Sequence, residues 1–323
     1  MFESKKALVF CPKFFSYDIE IKKAIENQGY DVELHDERPS TNIFIRALIR
    51  LGYNDILKKK IESYYLKIFN TLTKPVDFLI IISPECITPE ILKKFREKCS
   101  NIVVYMWDSF KNKPQALDLI PCSDAFYTFD SDDAELYNIK LKPLFYSNVY
   151  KIDELSESPQ FDISFIGTVH SSRYEQVKKI CSGFRCYVFF YCPSYIVFLF
   201  KKYITREIKR VSLKDVSFSS LSKKDVVSIV INSRCILDIS HPLQQGLTMR
   251  SIETLGAKRK LITTNKNICH YDFYNEDNIL VIDGSVTKNQ IQNFLQKNYK
   301  ALTAELYNKY SVDYWVKDFL RDN

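Results

Sequence analysis

The residues of this chain that are best suited to hold an anion follow a predicted strand. Residues 236–239 form an apolar run, the loop 244–248 (QQGLT) comes next, and helical spacing begins at Met249. In α/β proteins this order places the loop at the carboxyl end of a strand, where the N–H groups of a helix start collect anions. The segment therefore predicts an anion-binding site.

The helix after this loop has two distinct faces. Met249, Ile252 and Leu255 recur every third residue and should face a sheet, so Arg250 and Glu253 share another face. A cation at the helix start and a carboxylate one turn later suit a ligand that carries both phosphate and hydroxyl groups. The alternative interpretation is a solvated ion pair.

Strand and helix patterns alternate along the first half of the chain. Apolar runs predict strands at 6–10, 31–35, 77–82, 102–106, 125–128 and 142–145. Helical patterns cover 18–28 and 42–73, the second divided at Gly52 into two basic amphipathic helices. Thr88-Pro89-Glu90 should start a further helix by placing a capping residue before proline. This alternation predicts a parallel sheet wrapped by helices.

A polar, unpatterned stretch at 147–160 is interpreted as a linker, and the alternation resumes after it. Strands are predicted at 161–166, 185–190, 236–239, 260–264 and 278–282. Helices are predicted at 171–182, 195–210, 222–232, 287–297 and over most of 301–322. Gly167-Thr168 should form a tight turn. The predicted division is a first domain at 1–155, a second at 156–305 and a C-terminal helix at 306–323.

Length and composition indicate an ordinary globular protein of about two domains. The 323 residues are 46% hydrophobic and 26% charged. The nine cysteines contain no close CxxC pair, and the four histidines lack metal-ligand spacing, so neither a zinc site nor a disulfide framework is indicated. Reduced thiols and a cytoplasmic location are expected. No stretch approaches the ~18 apolar residues of a membrane span, so any membrane contact should be peripheral.

The formal net charge of +7 favours anionic partners, and the basic residues cluster in two predicted helical regions, 42–73 and 195–210. One interpretation is that these helices cover a sheet and that their lysines are exposed to solvent. The other is a surface for an anionic acceptor or a membrane. No helix-turn-helix, zinc-finger or RNP pattern is present, so nucleic acid is not expected as a partner.

Several segments together resemble the CgeB-like and group 1 glycosyltransferases of bacterial surface-polysaccharide pathways. They are FDISFIGTVHSSRYEQV at 161–177, RCILDIS at 234–240, QGLTMRSIETLGAKRKLITTN at 245–265, and the first-half segments DFLIIISPECITPEILKKF and NIVVYMWDSF. The resemblance implies the GT-B architecture: an α/β fold of two Rossmann-like doubly wound domains that face a cleft, with a C-terminal helix that returns to the first domain.

In that family the second domain binds a nucleotide diphosphate sugar, and the resemblance assigns residues to this donor. Glu253 falls where the family binds ribose hydroxyls, and Gln245 stands where an earlier Glu is usual. An amide cannot supply the negative charge of that Glu, which weakens a retaining mechanism. The resemblance implies that the diphosphate is met by backbone N–H groups of Gln244, Gln245, Gly246, Leu247 and Thr248, with added charge from Arg250.

Gly167, Thr168, Ser171 and Arg173 match the first loop of the family's second domain. Gly167 would permit close backbone approach, and Arg173 could pair with a phosphate. For Arg173 the alternative is a surface salt bridge.

Transfer with inversion needs a base that takes the proton of the acceptor hydroxyl. Asp108, at the carboxyl end of a predicted strand, is the first candidate and Glu85 the second; for both, a turn or cap role is the alternative. Asp130-Ser131-Asp132 has the letters of a sugar-metal motif, but we expect Asp130 to cap a helix. No cofactor and no metal are expected, because helix dipoles and basic side chains stabilise the leaving diphosphate in GT-B enzymes.

The sequence thus predicts a hexosyltransferase that moves a sugar from a nucleotide diphosphate sugar to a lipid-linked or polysaccharide acceptor in capsule, O-antigen, lipopolysaccharide or related surface-glycan synthesis. A peripheral contact with an anionic membrane at the inner face is part of this prediction. The alternatives are a GT-B sugar-nucleotide epimerase and a non-catalytic GT-B protein that binds nucleotides or glycans.

Overall fold

The structure, a computed structural model, describes residues 4–40, 42–50, 53–152, 158–240, 245–283 and 286–321. Within this part of the chain, two parallel sheets of six strands each belong to two compact units. The first unit ends at Leu144 and also includes Gln245, Gly246 and the chain from Val312 onward; the rest belongs to the second. The two sheets confirm the predicted α/β doubly wound class.

The strands of the first sheet are β1 (Lys5–Phe10), β2 (Tyr30–His35), β3 (Val76–Ile82), β4 (Cys99–Met106), β5 (Ala125–Thr128) and β6 (Lys140–Leu141). Their order, β2-β1-β3-β4-β5-β6, reverses between β1 and β3, where ligands of such sheets bind. The predicted strand at 142–145 is wrong, because pairing with β5 ends at Leu141. Pro143 follows soon after and has no N–H to donate to a ladder.

The helices of the first unit before the linker are α1 (Tyr17–Glu26), α2 (Ile43–Arg50), α3 (Asn54–Thr71), α4 (Pro89–Arg96) and α5 (Ser131–Tyr137). The two predicted basic helices are confirmed as α2 and α3, although Gly52 lies outside the described residues. The predicted start of α4 is also confirmed, because the hydroxyl of Thr88 accepts from the N–H of Ile91 and Pro89 occupies the first turn.

The strands of the second sheet are β7 (Phe161–Thr168), β8 (Cys186–Tyr191), β9 (Val216–Ser217), β10 (Ser233–Asp238), β11 (Lys260–Thr263) and β12 (Ile279–Val281). Their order, β12-β11-β10-β7-β8-β9, reverses between β7 and β10. The predicted turn at Gly167-Thr168 is wrong. Both residues remain paired with β8, opposite Phe190 and Tyr191, so the strand continues to Thr168.

The remaining helices are α6 (Ser171–Ile180), α7 (Tyr195–Leu199), α8 (Lys223–Ile231), α9 (Met249–Gly256), α10 (Lys288–Gln296), α11 (Ala304–Lys309) and α12 (Val312–Lys317). The long helix predicted at 195–210 is wrong. A π turn at Phe200–Ile204 follows α7, and Arg206 has a φ of 56°, which ends helical conformation. No helix in the described part of the chain is long and apolar enough to cross a membrane.

Buried apolar side chains form the core of each unit. Val76, Leu79 and Ile81 of β3 are completely or almost completely buried, as expected for a parallel strand covered on both faces. In the second unit Ile163 and Ile262 are buried in the same way. Within the first unit α12 adds Trp315, whose ring packs edge-on against Tyr105 of β4 at 4.7 Å between centroids.

Candidate functional site

Arg173 joins the carboxyl ends of the two central strands of the second sheet. Its Nη1 donates to the carbonyl and the hydroxyl of Thr168 at 3.2 and 3.1 Å, and its Nη2 donates to the carbonyl of Ile239 at 2.8 Å. β7 and β10 are the strands between which the order reverses, so Arg173 lies at the position where open α/β sheets bind ligands.

The guanidinium of Arg173 is held by carbonyl and hydroxyl oxygens, and no carboxylate of the described residues is in ion-pair contact with it. Burial lowers its pKa, and only the more distant charge of Asp238 opposes that shift. Among the described residues Arg173 forms no ion pair, so the alternative interpretation, a surface salt bridge, finds no support there. A partly buried cation held by carbonyl groups can still receive an anion.

Two helices begin at the same edge of this sheet. α6 starts at Ser171, directly after β7, and α9 starts at Met249, after β10. The first turn of a helix leaves N–H groups without intrahelical partners and carries the positive end of the helix dipole. Because every strand-to-helix connection of a parallel sheet leaves from the carboxyl edge, both helix starts lie on the side of Arg173.

Asp238 holds the start of α9 in place. Its Oδ2 accepts from the hydroxyls of Thr248 at 2.5 Å and Ser251 at 2.8 Å, while the Thr248 oxygen accepts from the N–H of Ser251 at 3.2 Å. Asp238 is 7% exposed, so this network is shielded from water. Asp238 was not predicted as a site residue, although its position at the end of a predicted strand was an available signal.

Arg250 and Glu253 form the predicted pair on one helix face, at 2.9 Å between Nη1 and Oε2. The pair is not solvated, however, because Glu253 is only 3% exposed. Tyr150 lies against it: burial and the carboxylate of Glu253 both raise the pKa of its hydroxyl. Glu253 is therefore a buried carboxylate one turn into α9, and its ribose-binding role stays a prediction.

The N–H groups of Gln245 and Gly246 donate to one carboxylate oxygen of Asp130, at 3.3 and 3.1 Å. The other oxygen accepts from the N–H groups of Asp132 and Asp133, which confirms the predicted capping role of Asp130. The two N–H groups predicted to bind the diphosphate therefore bind the carboxylate of Asp130 in this conformation. Both N–H groups point toward one oxygen atom, as they would for an anionic ligand.

The other residues predicted to bind the donor are Leu247, Gly167, Gln244 and Ser171. Leu247 is buried at 2% exposure. Gly167 is half-buried, and a Cβ there would stand 2.8 Å from the ring of Phe165. Gln244 and the side chain of Ser171 lie outside what the structure describes.

Glu85 is not placed to act as a base. Its carboxylate is 5% exposed and receives two hydrogen bonds from Arg38, at 2.8 and 3.0 Å, and one from Lys113 at 2.6 Å. Burial alone would raise its pKa, but Arg38 and Lys113 outweigh burial and hold the pKa below its usual range. A carboxylate bound in this way is a structural anchor, so the second catalytic candidate is corrected to a structural role.

Glu37 is a buried acid beside this anchor, and it was not predicted from the sequence. Its Oε1 accepts from the N–H groups of Glu85, Cys86 and Ile87 at 2.6–3.1 Å, and its Oε2 has no hydrogen-bond partner among the described residues. Burial raises its pKa from 4.5 to about 7, against the lowering effect of those N–H groups. Glu37 is a single acid in a loop between two elements, and no periodic pattern includes it. Its burial therefore could not be predicted from the neighbouring sequence.

Asp108 remains a candidate base. It lies two residues beyond β4 and is half-buried. Its Oδ1 accepts from the N–H of Ser109 and the amide of Asn112, both at 2.9 Å, whereas its Oδ2 receives no hydrogen bond from the described residues. One oxygen thus orients the carboxylate and the other is left to accept a proton.

The first sheet has an opening of its own beside the carboxyl ends of β1 and β2. This cavity of about 700 Å³ is lined by residues of both charges: Lys13, Lys22 and Arg38 together with Asp18 and Asp36. The loop next to it contains Phe15 and Ser16, which have φ values of 47° and 60°. Left-handed backbone is uncommon outside glycine and concentrates at functional sites.

The chain was compared with known proteins. No family model matches it, and no curated protein matches it. Among solved structures, AviGT4, a glycosyltransferase involved in avilamycin A biosynthesis, aligns with a TM-score of 0.62 at 10% identity over 98% of this chain and 96% of that one. HepE from Anabaena, in complex with UDP and glucose, aligns with a TM-score of 0.59 at 10% identity over 98% and 99%.

The UDP-GlcNAc 2-epimerase of Methanocaldococcus jannaschii, in complex with UDP-GlcNAc and UDP, aligns with a TM-score of 0.56 at 13% identity over 98% and 99% of the two chains. At these identities the likeness is one of fold. It extends over nearly the whole length of each protein and agrees with the two doubly wound parallel sheets described above. The chain therefore has the GT-B fold.

Proposed function

We propose that this protein is a glycosyltransferase that takes its sugar from a nucleotide diphosphate sugar. The observation that carries the proposal is the position of Arg173, a cation with no carboxylate partner among the described residues, between the carboxyl ends of β7 and β10. The starts of α6 and α9 lie at the same edge. Two structures of this fold, HepE and the archaeal epimerase, hold UDP, which makes a uridine diphosphate sugar the first donor to test.

In the proposed reaction, the acceptor hydroxyl oxygen bonds to the anomeric carbon as the bond from that carbon to the diphosphate oxygen breaks. The nucleotide diphosphate leaves with the electron pair, and Arg173 and the helix starts stabilise its added charge. Asp108 takes the proton of the hydroxyl through its free oxygen Oδ2. This proposal assigns no step to a metal ion.

The proposed acceptor is lipid-linked or a polysaccharide, as expected for CgeB-like and group 1 enzymes of surface-glycan synthesis. The cavity beside β1 and β2 offers charged and polar groups to the hydroxyls of a glycan, because Lys13 and Lys22 line it together with Asp18 and Asp36. Transfer of a hexose and the pathway of capsule or lipopolysaccharide synthesis belong to the same proposal.

A peripheral contact with an anionic membrane is also proposed, and the segment around α7 supports it best. Ile196, Tyr203 and Ile204 are 65–78% exposed, and Lys201 and Lys202 lie among them. Apolar side chains interleaved with lysines are typical of interfacial segments. On α3 the lysines 58–60 are exposed while the opposite face is buried in the core, so this helix contributes charge only.

Binding of the donor is tested by thermal shift with UDP-, GDP-, CDP- and TDP-sugars. We expect one nucleotide series to raise the melting temperature and Arg173→Gln to lose most of that rise. Arg210→Gln is the matched control, because Arg210 is 79% exposed and also belongs to the second unit. If no sugar nucleotide stabilises the wild-type protein, the donor site and the proposed function are wrong.

The membrane contact is tested separately by flotation with vesicles that contain phosphatidylserine. The double variant Ile196→Asp/Ile204→Asp should remain at the bottom of the gradient while the wild-type protein floats. Neutralising lysines 58–60 should weaken flotation by removing charge. Equal flotation of all variants would contradict the contact but would leave donor binding untouched.

A sugar-nucleotide epimerase is the second candidate, and the full-length alignment with the archaeal epimerase favours keeping it. An epimerase needs the donor but no acceptor, so it converts a UDP-sugar in a reaction that contains nothing else. A change in the sugar's NMR spectrum under those conditions would replace transferase by epimerase. A protein that binds UDP-sugars without either reaction would instead be a non-catalytic binding protein.

A further inference from the structure

A second cationic cavity lies at the opposite edge of the second sheet, away from Arg173. It has a volume of about 230 Å³ and is lined by the five basic residues Arg234, Lys258, Arg259, Lys260 and Lys297, with no carboxylate among its described lining residues. Arg234 and Lys260 stand at the starts of β10 and β11. A six-residue strand separates the two edges by about 17 Å, so this cavity is distinct from the proposed donor site.

Two neighbouring carboxylates each form an ion pair, and only one of these pairs includes a cation of the cavity lining. Asp277 binds Lys297 at 2.9 Å, and Asp162 binds Arg185 at 2.9 Å. The other four cations of the lining form no ion pair with any described residue. Among the described residues, the cavity therefore has more cations than carboxylates, in a partly buried place.

Ordinary structural roles account for two of these cations. The ammonium of Lys260 donates to the carbonyls of Asp277 and Phe294, both at 2.7 Å, and the ring of Phe294 lies 4.4 Å from it. Lys258 follows the carboxyl end of α9, where the helix dipole favours a cation. Its ammonium also stands over the ring of Tyr307 at 5.3 Å.

Arg259 has no such role. It is 6% exposed, and its Nε and Nη2 are buried without a hydrogen-bond partner among the described residues. Burial lowers its pKa, which means that the charged side chain is held there at a cost. A small cavity of about 20 Å³ on one side of it has room for one water, whereas the 230 Å³ cavity has room for a polyatomic anion.

We propose that this cavity binds a small phosphate-bearing anion, held by Arg259, by the exposed Arg234 and by the half-buried Lys258. A guanidinium presents parallel N–H groups to two oxygens of one phosphate, and such charge-assisted hydrogen bonds are about twice as strong as those between neutral groups. The ligand class is a free phosphate compound such as a phosphorylated sugar or pyrophosphate. The same chemistry could come from a lipid headgroup, so the experiment includes both sources.

The test measures the affinity for inorganic pyrophosphate by calorimetry at constant ionic strength, which removes general screening effects. Arg259→Gln should weaken binding at least about tenfold, the loss expected for charge-assisted hydrogen bonds. Lys258→Asn should also weaken it, and the folded state should tolerate this change because Lys258 has a φ of 50°, which asparagine accepts readily. Lys258→Asn and Arg234→Gln keep the test valid if Arg259→Gln does not fold.

Two controls separate this site from others. Arg210→Gln removes one exposed charge of the same unit and should leave the affinity unchanged. Arg173→Gln removes the cation of the proposed donor site and should leave this binding event intact; if it abolishes binding while Arg259→Gln does not, the pyrophosphate binds at the donor edge and the inference is wrong.

Two further outcomes would overturn the proposal. Absence of saturable pyrophosphate binding to the wild-type protein would mean that Arg259 is solvated by water only. Flotation with phosphatidylinositol-phosphate vesicles that requires Arg259, together with no binding of free pyrophosphate, would assign the cavity to a lipid headgroup instead. Either result leaves the proposed transferase activity untouched.

Discussion

Arg250 and Glu253, three residues apart on α9, form an ion pair of 2.9 Å whose carboxylate is 3% exposed. A pair with the same spacing, Lys94 and Glu97, forms at 2.8 Å on the surface of the first unit, with both side chains about half exposed. The chain thus contains a buried and an exposed version of one local motif. Because desolvation decides what an ion pair contributes, the two should respond differently to substitution.

Glu253→Ala should reduce the free energy of unfolding by about 3 kcal/mol, because it leaves the charge of Arg250 without its buried partner. Glu97→Gln should change it by less than about 0.5 kcal/mol. Urea denaturation of the variants gives both values. Similar values for the two would mean that the burial of Glu253 does not govern the pair.

Glu253→Gln tests the predicted binding of ribose by Glu253 in a protein that stays folded. The amide keeps the shape of the side chain but binds ribose hydroxyls less strongly than a carboxylate, so the dissociation constant for UDP should rise about tenfold. Calorimetry on the folded variant measures it. An unchanged constant would leave Glu253 with a structural role only.

Glu37 should make the stability depend on pH. Its folded-state pKa is raised from 4.5 to about 7, so the native protein keeps this proton to a higher pH than the unfolded chain does. The stabilisation from the protonated form is complete below pH 4.5 and is lost as the pH rises through about 7, by ~3 kcal/mol at most.

Glu37→Gln should remove this contribution. Other acids titrate in both proteins, so the measured quantity is the difference in unfolding free energy between wild type and variant from pH 4.5 to 7.5. As the pH rises, the unfolding free energy of the wild-type protein should fall relative to that of the variant. A difference that does not depend on pH would show that Glu37 titrates normally.

Glu85→Gln and Asp108→Asn should have opposite effects. Glu85→Gln leaves Arg38 and Lys113 without a carboxylate and should lower the free energy of unfolding by about 3 kcal/mol, while the folded fraction keeps its kcat. Asp108→Asn should lower kcat about 100-fold or more with little change in stability or in donor affinity. Full activity in the Asp108 variant would remove it as the base.

Gly246→Ala should destabilise the first unit. A Cβ at Gly246 would lie 2.5 Å from the ring of Phe129 and 2.9 Å from its backbone oxygen, so the segment must move away from Asp130. We expect a loss of about 1–3 kcal/mol in thermal or urea denaturation. Gly167→Ala is the control, because its Cβ would meet only the far end of the Phe165 ring; equal losses would contradict the proposed backbone clash.

The sequence by itself determined most of the elements. Apolar runs and helical spacing report the local environment of each residue, so β3, β4 and the pair of α2 and α3 could be predicted closely. Capping is also local, which is why Thr88 and Asp130 were recognised. The errors at 142–145 and 195–210 arose where an apolar pattern continued although strand pairing or helical backbone geometry had ended.

Only the tertiary structure decided the partners within the candidate sites. Arg173 meets Ile239 across 66 positions, Glu85 meets Arg38 across 47, and Gly246 meets Asp130 across 116. Periodicity carries no information about such pairs, because it records burial and not the neighbour that provides it. The order of strands in each sheet brings these residues together. For this reason only the tertiary structure shows that Glu85 is a structural anchor and that Arg173 lies between two strand ends.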